Sequence, residues 1–528
     1  MVNIPAIQYT PVEAVAETVK RLRTTFFQQK TRPLDFRIRQ LRKLYWAVKD
    51  HEEQIKEALK RDLRKSEYDA YLAEIGYVQN DIIHVTKNLR KWAKDEKAED
   101  IQFPFTFMKP TIRKDPFGVV LVIGAFNVPF QLTLGPLIGA IAAGNTVVVK
   151  PSESSFNCAV VMQQIIEASL DPDCYAVVQG GIPETQALLA ERWDKICFTG
   201  SPGVGKIIAK AAAPTLTPVI LELGGRNPAF ITKNADLRLA ARRLLWGKTF
   251  NAGQICTSQN YILADKEVVT ELVEQFKLAL KEYYPNGPKN SPDYGCMINE
   301  GGFRRVKSFL DSTNGKILVG GEMDEKERFI EPTIVQVDSV DDALMQNETF
   351  GPVITILPVN NLDEAIRIAN EVDSTPLGVY PFGTKQEVEK VLTAVRSGGA
   401  SVNDSYMHVA VPNLPFGGFG ESGTGCYHGR ASFDAFTHRR SVVTTPSWVE
   451  RGLSARYPPY TGKLSSYKRF SLQKPNFDRE GNDTGLLSWI MWIVTFGGGA
   501  NKSGAARSAA AVVVALAIQH FIKRGAKL

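Results

Sequence analysis

The chain has 528 residues, a formal charge of +7, and 44% hydrophobic against 23% charged residues. That balance suits a folded protein with real cores and excludes a disordered, collagenous or multi-pass membrane chain. Six scattered cysteines without a CxxC pair, and six histidines without metal-ligand spacing, argue against a disulfide framework or metal centre and for a reducing compartment.

The first ten residues, MVNIPAIQYT, lack the charged-then-apolar pattern of a secretory signal. Residues 12–97 read as helical: Leu41, Leu44, Val48, Ile55 and Leu59 recur at three- and four-residue spacing or its multiples, with charges between them. Pro104, Pro110 and Pro116 then punctuate an expected linker. From Val119 the pattern changes to short apolar runs: VVLVIG (119–124), TVVVK (146–150), YAVVQG (175–180), KICFTG (195–200) and PVILELGG (218–225). Each ends at Gly, Asn or Pro or a charge and gives way to a helical stretch, as in a parallel sheet covered on both faces. A doubly wound, nucleotide-binding unit is the expected α/β fold. A second alternating series begins near Asn227, with YILA (261–264), KILVGG (316–321), TIVQV (333–337) and VITILPV (353–359), and predicts a second α/β domain.

Charge is placed unevenly. Residues 451–528 hold twelve Lys and Arg against three Asp and Glu, so the body before them is near neutral and no nucleic-acid partner is expected. A basic tail suits an anionic membrane surface. Gly485–Phe496 and Ala505–Ile522 are apolar, yet neither reaches the ~20 residues a spanning helix needs. They read as a membrane-associated or tail-inserted element, as a segment packing across a dimer interface, or as disorder. The final Ala526-Lys527-Leu528 also resembles a peroxisomal address.

Among chemistry-bearing residues, Cys256 follows Asn251-Ala-Gly-Gln-Ile, where a glycine permits the sharp turn that would leave a thiol reachable. Glu222 lies inside PVILELGG, a run that should hold no charge; a buried carboxylate there needs a salt-bridge partner or lines a cavity. Together they offer a thiol nucleophile and a general base. Asn127, in GAFNVPF after the first strand, could donate to a developing oxyanion or serve as a turn residue. Gly200-Ser201-Pro-Gly-Val-Gly205 is not GxGxxG, but a Gly-rich strand-to-helix turn still presents N–H groups to an anion. Lys150 and Glu153 end the second strand, where an acidic side chain would bind a ribose hydroxyl and repel a 2′-phosphate, or form a plain surface turn.

In this order the segments resemble the aldehyde dehydrogenase family from about residue 20 to 445. FGVVLVIGAFNVPF is similar to that family's oxyanion motif, VVVKPSE to its ribose-binding strand, FTGSPGVG to its pyrophosphate turn, VILELGGRNP to its glutamate and NAGQIC to its nucleophile segment. NETFGPV adds Glu348 and Phe350, which the resemblance places at the nicotinamide ribose. LPFGGFGESGTGCYHGRASFDAFTHRRS resembles the class 3 branch, which includes fatty aldehyde dehydrogenases. RYPPYTGK and the tail are most like fungal members acting on fatty aldehydes or apocarotenals. Two departures stand out: GAFN replaces the commoner tryptophan before the asparagine, and Arg226 stands where lysine is usual.

The resemblance implies a helical N-terminal part (1–110), a Rossmann-type core (111–226), a catalytic domain (227–420), a C-terminal dimerisation arm (421–484) and an apolar basic tail (485–528). It implies NAD, or NADP, as cofactor, with Lys150, Glu153, Gly200, Ser201, Gly205, Glu348 and Phe350 at the dinucleotide. Cys256, Asn127 and Glu222 would be nucleophile, oxyanion donor and base. A homodimer on the cytosolic face of the endoplasmic reticulum or mitochondrial outer membrane follows by the same likeness, with the peroxisome as alternative. An apolar channel fits Trp246, Phe250, Tyr406 and His408, and His428 reads as structural or substrate-facing. The tail favours a long-chain or apocarotenoid aldehyde over a medium-chain or aromatic one. A cofactor-free thiol esterase or a silent membrane scaffold would leave the intact nucleotide and catalytic positions unexplained.

Overall fold

The computed structural model describes residues 3–471, and beyond them 475–477, 479–481, 485 and 490. It divides into two units. One comprises residues up to 99 with 110–442, the other 100–109 with the chain after 442.

The larger unit begins with the helices Ala14–Phe27, Leu34–Asp50, Glu52–Leu63 and Gly76–Trp92. A π-helical turn, Tyr71–Ile75, leads into the last of these. The apolar stripe of Leu41, Leu44, Val48, Ile55 and Leu59 is buried in one core with Val120, Val147 and Val149 of the first sheet. Burial of that stripe, more than helix propensity, stabilises helices of this length.

The first sheet has the spatial order Gly423–Thr424, Val219–Leu223, Lys195–Gly200, Val119–Ile123, Thr146–Lys150, Tyr175–Val177. Its five long-predicted strands are parallel, and the two-residue edge strand Gly423–Thr424 runs antiparallel. The chain enters at Val119, builds outward to Tyr175, then returns to the other side at Lys195. The order therefore reverses between Val119–Ile123 and Lys195–Gly200. Ligands of doubly wound sheets sit at such a switch point, beyond the carboxyl ends of the strands.

The second sheet orders Lys316–Val319, Thr333–Gln336, Val353–Val359, Tyr261–Asp265, Pro228–Ile231, Gly378–Phe382 and Gly399–Ala400. It is parallel except for the first pair, whose register shifts between Ile317 and Val319.

The expected linker is partly a strand. Thr111–Pro116 pairs antiparallel with Thr437–Val442 on one side and Glu96–Lys97 on the other. Its prolines fall at or outside the ends of the pairing, where a missing N–H costs least. Residues 421–442 thus belong to the larger unit, through both Gly423–Thr424 and Thr437–Val442.

In the smaller unit the Phe107 and Trp448 rings meet edge-on at 5.4 Å, and the Thr444 N–H donates to the Met108 carbonyl at 2.7 Å. Among the described residues no helix is long and apolar enough to cross a membrane. The apolar stretches 485–496 and 505–522 fall outside the described residues, apart from positions 485 and 490.

Candidate active site

Helix Leu237–Thr249, capped by the Asp236 carboxylate accepting from the Leu239 N–H, runs into the turn that carries Cys256. Three successive residues of that turn are left-handed: Asn251 (φ 51°), Ala252 (φ 50°) and Gly253 (φ 73°). Such conformations cost energy for residues with a Cβ, and a run of them needs outside support. Gly253 is obligatory on space as well, since a Cβ there would lie 2.2 Å from the Gly351 carbonyl oxygen.

Support comes from two buried amides. Gln254 donates to the Asn251 and Cys296 carbonyls at 3.0 and 2.9 Å and accepts from the Ile298 N–H at 2.9 Å. Asn227 donates to the Cys256 and Ser258 carbonyls at 2.8 and 2.9 Å and accepts from the Gly378 N–H at 2.8 Å. The Cys256 thiol is free and partly exposed. Burial of its surroundings pushes the thiol up to about 12, and the nearby Glu348 and Glu222 carboxylates add to the rise.

Asn127 reaches the same turn from the first sheet. It lies between strand Val119–Ile123 and helix Pro129–Ala143, and its Nδ2 donates to the Gln254 carbonyl at 3.0 Å. An amide nitrogen has two N–H groups. One fixes the amide plane, and the other has no acceptor among the described residues.

Glu222 has no ion-pair partner among the described residues. It lies opposite Thr199 on one side and Gly423 on the other, and is 2% exposed. Neither carboxyl oxygen has a hydrogen-bond partner among the described residues. The Gly418 N–H bears on it electrostatically, but burial dominates and holds the acid well above the usual carboxylate range. The buried hydroxyls of Thr199 and Tyr427 are unpartnered too, and Tyr427 is close enough to feel both Glu222 and Cys256. A buried acid beside unsatisfied polar groups marks a place where something else binds.

Several of the positions expected at a dinucleotide lie at or just beyond the carboxyl ends of first-sheet strands. Lys150, 2% exposed, donates to the Pro151 carbonyl at 3.0 Å and to Glu153 at 2.8 Å, and the Glu153 side chain stays partly exposed. Ser201 caps helix Pro202–Ala212, and Gly200 and Gly205 permit close packing: Cβ atoms there would lie 2.4 Å from the Phe198 ring and 2.6 Å from Leu223. Around Gly203 the space is open. Glu348 comes up against Gly224, burial raises it to about 7, and Phe350 (φ 41°) lies edge-on to Phe126 at 5.9 Å. A helix start with open space at Gly203, an acid two strands away and a glycine cradle fit a dinucleotide: phosphates at the helix, ribose at the acid.

Comparison with known proteins agrees. The aldehyde dehydrogenase family model matches residues 3–442. The chain belongs to the aldehyde dehydrogenase family. It is similar to the beta-apo-4'-carotenal oxygenase of Neurospora crassa, 49% identical over 524 residues, 99% of this chain and 98% of that one. It is 45% identical to the dimeric NADP-preferring aldehyde dehydrogenase of Canis lupus familiaris over 455 residues, 86% of this chain and 99% of the relative. The substrate-bound structure of Staphylococcus aureus AldH superposes with a TM-score of 0.84 at 40% identity, covering 87% of this chain and 99% of that one. As a member of this family the chain is an oxidoreductase that uses NAD or NADP.

In this aldehyde dehydrogenase the aromatic residues assemble around the nucleophile turn. The Trp246 ring lies 5.8 Å from Phe250 and 5.4 Å from Tyr406, and Tyr406 and Tyr380 both feel the Cys256 thiol. His408 is bound to the Ser401 hydroxyl at 2.9 Å, and burial lowers it to about 4, so it stays neutral. His428 stacks on Phe416 at 5.0 Å, and burial lowers it to about 3, which suits packing and no proton transfer at neutral pH. Of the two departures, Arg226 donates to the Gln346 carbonyl at 3.3 Å, and Phe126 is the ring that meets Phe350.

Sequence reading missed several residues here. Arg305 donates to the carbonyls of Glu348, Thr349 and Phe350 and so clamps that loop. Lys248, buried beside Glu348, is lowered by burial to about 7. Asn227, Gln254, Tyr427, Lys65 and Glu74 complete the set. For Asn227 the signal was present in RNP, a polar residue directly before a buried strand; for Arg305, on a helix rich in charges, there was none.

Proposed function

We propose that the enzyme oxidises a long lipophilic aldehyde, apocarotenoid or fatty, to the carboxylic acid with Cys256 as nucleophile. The observation that carries the chemistry is the unpartnered, buried Glu222 carboxyl within electrostatic reach of the Cys256 thiol. Cys256 gives up its proton to solvent, and its sulfur bonds to the aldehyde carbon as the C=O π bond opens, forming a thiohemiacetal oxyanion. The free N–H of Asn127 and the Cys256 backbone N–H hold the oxyanion. A nicotinamide dinucleotide, when bound, would supply the hydride acceptor needed to oxidise this adduct to the thioester level. Glu222 then takes a proton from water as the water oxygen bonds to the thioester carbon; the C–S bond breaks, the leaving thiolate takes the proton from Glu222, and the carboxylic acid is released. Lys150, Glu153, Gly200, Ser201, Gly205, Glu348 and Phe350 hold the dinucleotide, and the Glu153 carboxylate favours NAD over a 2′-phosphate.

Two facts support the lipophilic substrate. The aromatic group around Trp246 and Tyr406 offers apolar contact beside the nucleophile. The likeness to the carotenal oxygenase extends over 99% of the chain, whereas the family model stops at residue 442 and the canine relative covers 86%. The carotenal relative therefore shares the C-terminal segment. In this reading the segment from 485, basic and apolar, holds the enzyme to a membrane surface in which such aldehydes dissolve. In this reading the enzyme is a homodimer that works in lipid metabolism on the cytosolic face; the word "dimeric" in the canine relative's name supports the first of these.

The test is NAD reduction by purified enzyme across short, medium and long aldehydes and an apocarotenal. Efficiency should climb with chain length or peak on the apocarotenal; a flat or short-chain preference removes the substrate assignment. Protein lacking 485–528 should no longer sediment with anionic vesicles.

A further inference from the structure

We infer that the buried Lys65–Glu74 ion pair is a positioning device for Asn127, and the inference rests on the oxyanion role given to Asn127 above. Lys65 Nζ lies 2.6 Å from a Glu74 oxygen, and both side chains are 0% exposed. The pair grips the Asn127 segment from both sides. Lys65 Nζ donates to the Asn127 carbonyl at 2.9 Å. The other Glu74 oxygen accepts from the Phe130 and Gln131 N–H groups at 3.0 and 3.1 Å, in the first turn of helix Pro129–Ala143.

That helix start is buried, and Val128 at its N-cap offers no side-chain bond. Its free N–H groups need an acceptor. A Ser or Asp at the cap would satisfy them locally, without drawing two charges out of water. The molecule instead uses an acid from another helix and couples it, through Lys65, to the carbonyl of the oxyanion donor. The Asn251 amide of the nucleophile turn donates to that same carbonyl at 2.9 Å. One oxygen atom thus joins the cation, the oxyanion donor and the Cys256 turn.

The helix that carries Glu74 is modified at that point. Tyr71–Ile75 is a π-helical turn, whose extra residue rotates Glu74 relative to a regular α-helix. Gly76 follows, where a Cβ would come within 2.9 Å of the Tyr71 carbonyl oxygen. A pair serving only to hold helices together needs neither the π-turn nor the bond to Asn127.

The experiment is a double-mutant cycle read on the single-turnover burst of NADH, with dinucleotide affinity and thermal unfolding followed in every variant. Lys65→Met keeps the stem and removes the donor; Glu74→Gln keeps the shape and removes the charge, and is the milder variant if Lys65→Met does not fold. Asn127→Ala should slow the burst about 100-fold, as loss of one oxyanion donor does. Lys65→Met should slow it about 10-fold or more at unchanged dinucleotide affinity, and by less than about 2-fold when Asn127 is already Ala. Equal losses in both backgrounds, or an unchanged burst in folded Lys65→Met and Glu74→Gln, overturn the inference. An unchanged burst in Asn127→Ala removes the oxyanion role itself, and with it anything for the pair to position.

Discussion

The Glu348 carboxylate occupies the place of a side chain on Gly224: a Cβ there would lie 2.2 Å from its nearer oxygen. Gly224 directly follows the strand that carries Glu222, so one glycine lets the NETFGPV loop approach the end of that strand. Gly224→Ala must push Glu348 aside, at about 1–3 kcal/mol by the usual cost of overpacking. Steady-state kinetics should show the dinucleotide KM raised about tenfold, with Cys256 alkylation retained. An unchanged KM would take Glu348 out of the cofactor site.

Glu348 also governs the thiol. It is held at about 7, so it becomes a carboxylate only above that pH, where its charge opposes ionisation of Cys256. Glu348→Gln should leave the alkylation rate of the cofactor-free enzyme unchanged at pH 6. Above pH 7 it should speed alkylation several-fold, since each unit of thiol pKa is about tenfold in thiolate. Acceleration equal at both pH values would mean the residue acts by shape and not by charge.

Glu222→Gln keeps the volume of the buried acid and removes the base. A burst of NADH close to one per site followed by steady turnover slower by about 100-fold or more is the expected outcome. Because burial holds Glu222 above the ordinary carboxylate range, wild-type deacylation should rise with pH as the acid ionises. The variant should lack that rise. Unchanged steady turnover would remove Glu222 from the mechanism.

Cys256, Glu222 and Asn127 could be singled out as candidates because each breaks its local pattern, a thiol after a glycine turn, an acid in an apolar strand, an amide at a strand end, while their roles came from the family resemblance. The five parallel strands of the first sheet were legible because strands buried on both faces read as unbroken apolar runs. The groups that hold those residues were not. Lys65 and Glu74 sit in RDLRKSEYDAYLAE, where every charge looks like part of a solvated helix face, and only the packed helices show both fully excluded from water. Asn227 and Gln254 act on carbonyls of the Cys256 turn and on backbone up to 151 residues away. Pairings such as Gly423 with Glu222 bring in a two-residue strand that carries no periodicity of its own.

The aromatic group beside the nucleophile gives the substrate reading its sharpest residue-level test. Trp246 is partly exposed on helix Leu237–Thr249, with rings of Phe250 and Tyr406 on either side and the buried Tyr406 hydroxyl left without a partner. Removing the indole takes away apolar surface that a long chain would cover and a short one would not reach. Full loss of such a contact is worth about 1.5–3 kcal/mol, or roughly 10- to 100-fold. Trp246→Ala should therefore lower kcat/KM for a long-chain aldehyde or apocarotenal by at least tenfold, mostly through KM, and leave a two- or three-carbon aldehyde within about twofold. A uniform loss across chain lengths would assign Trp246 to support of the nucleophile turn, through the helix that leads into it, and not to the substrate.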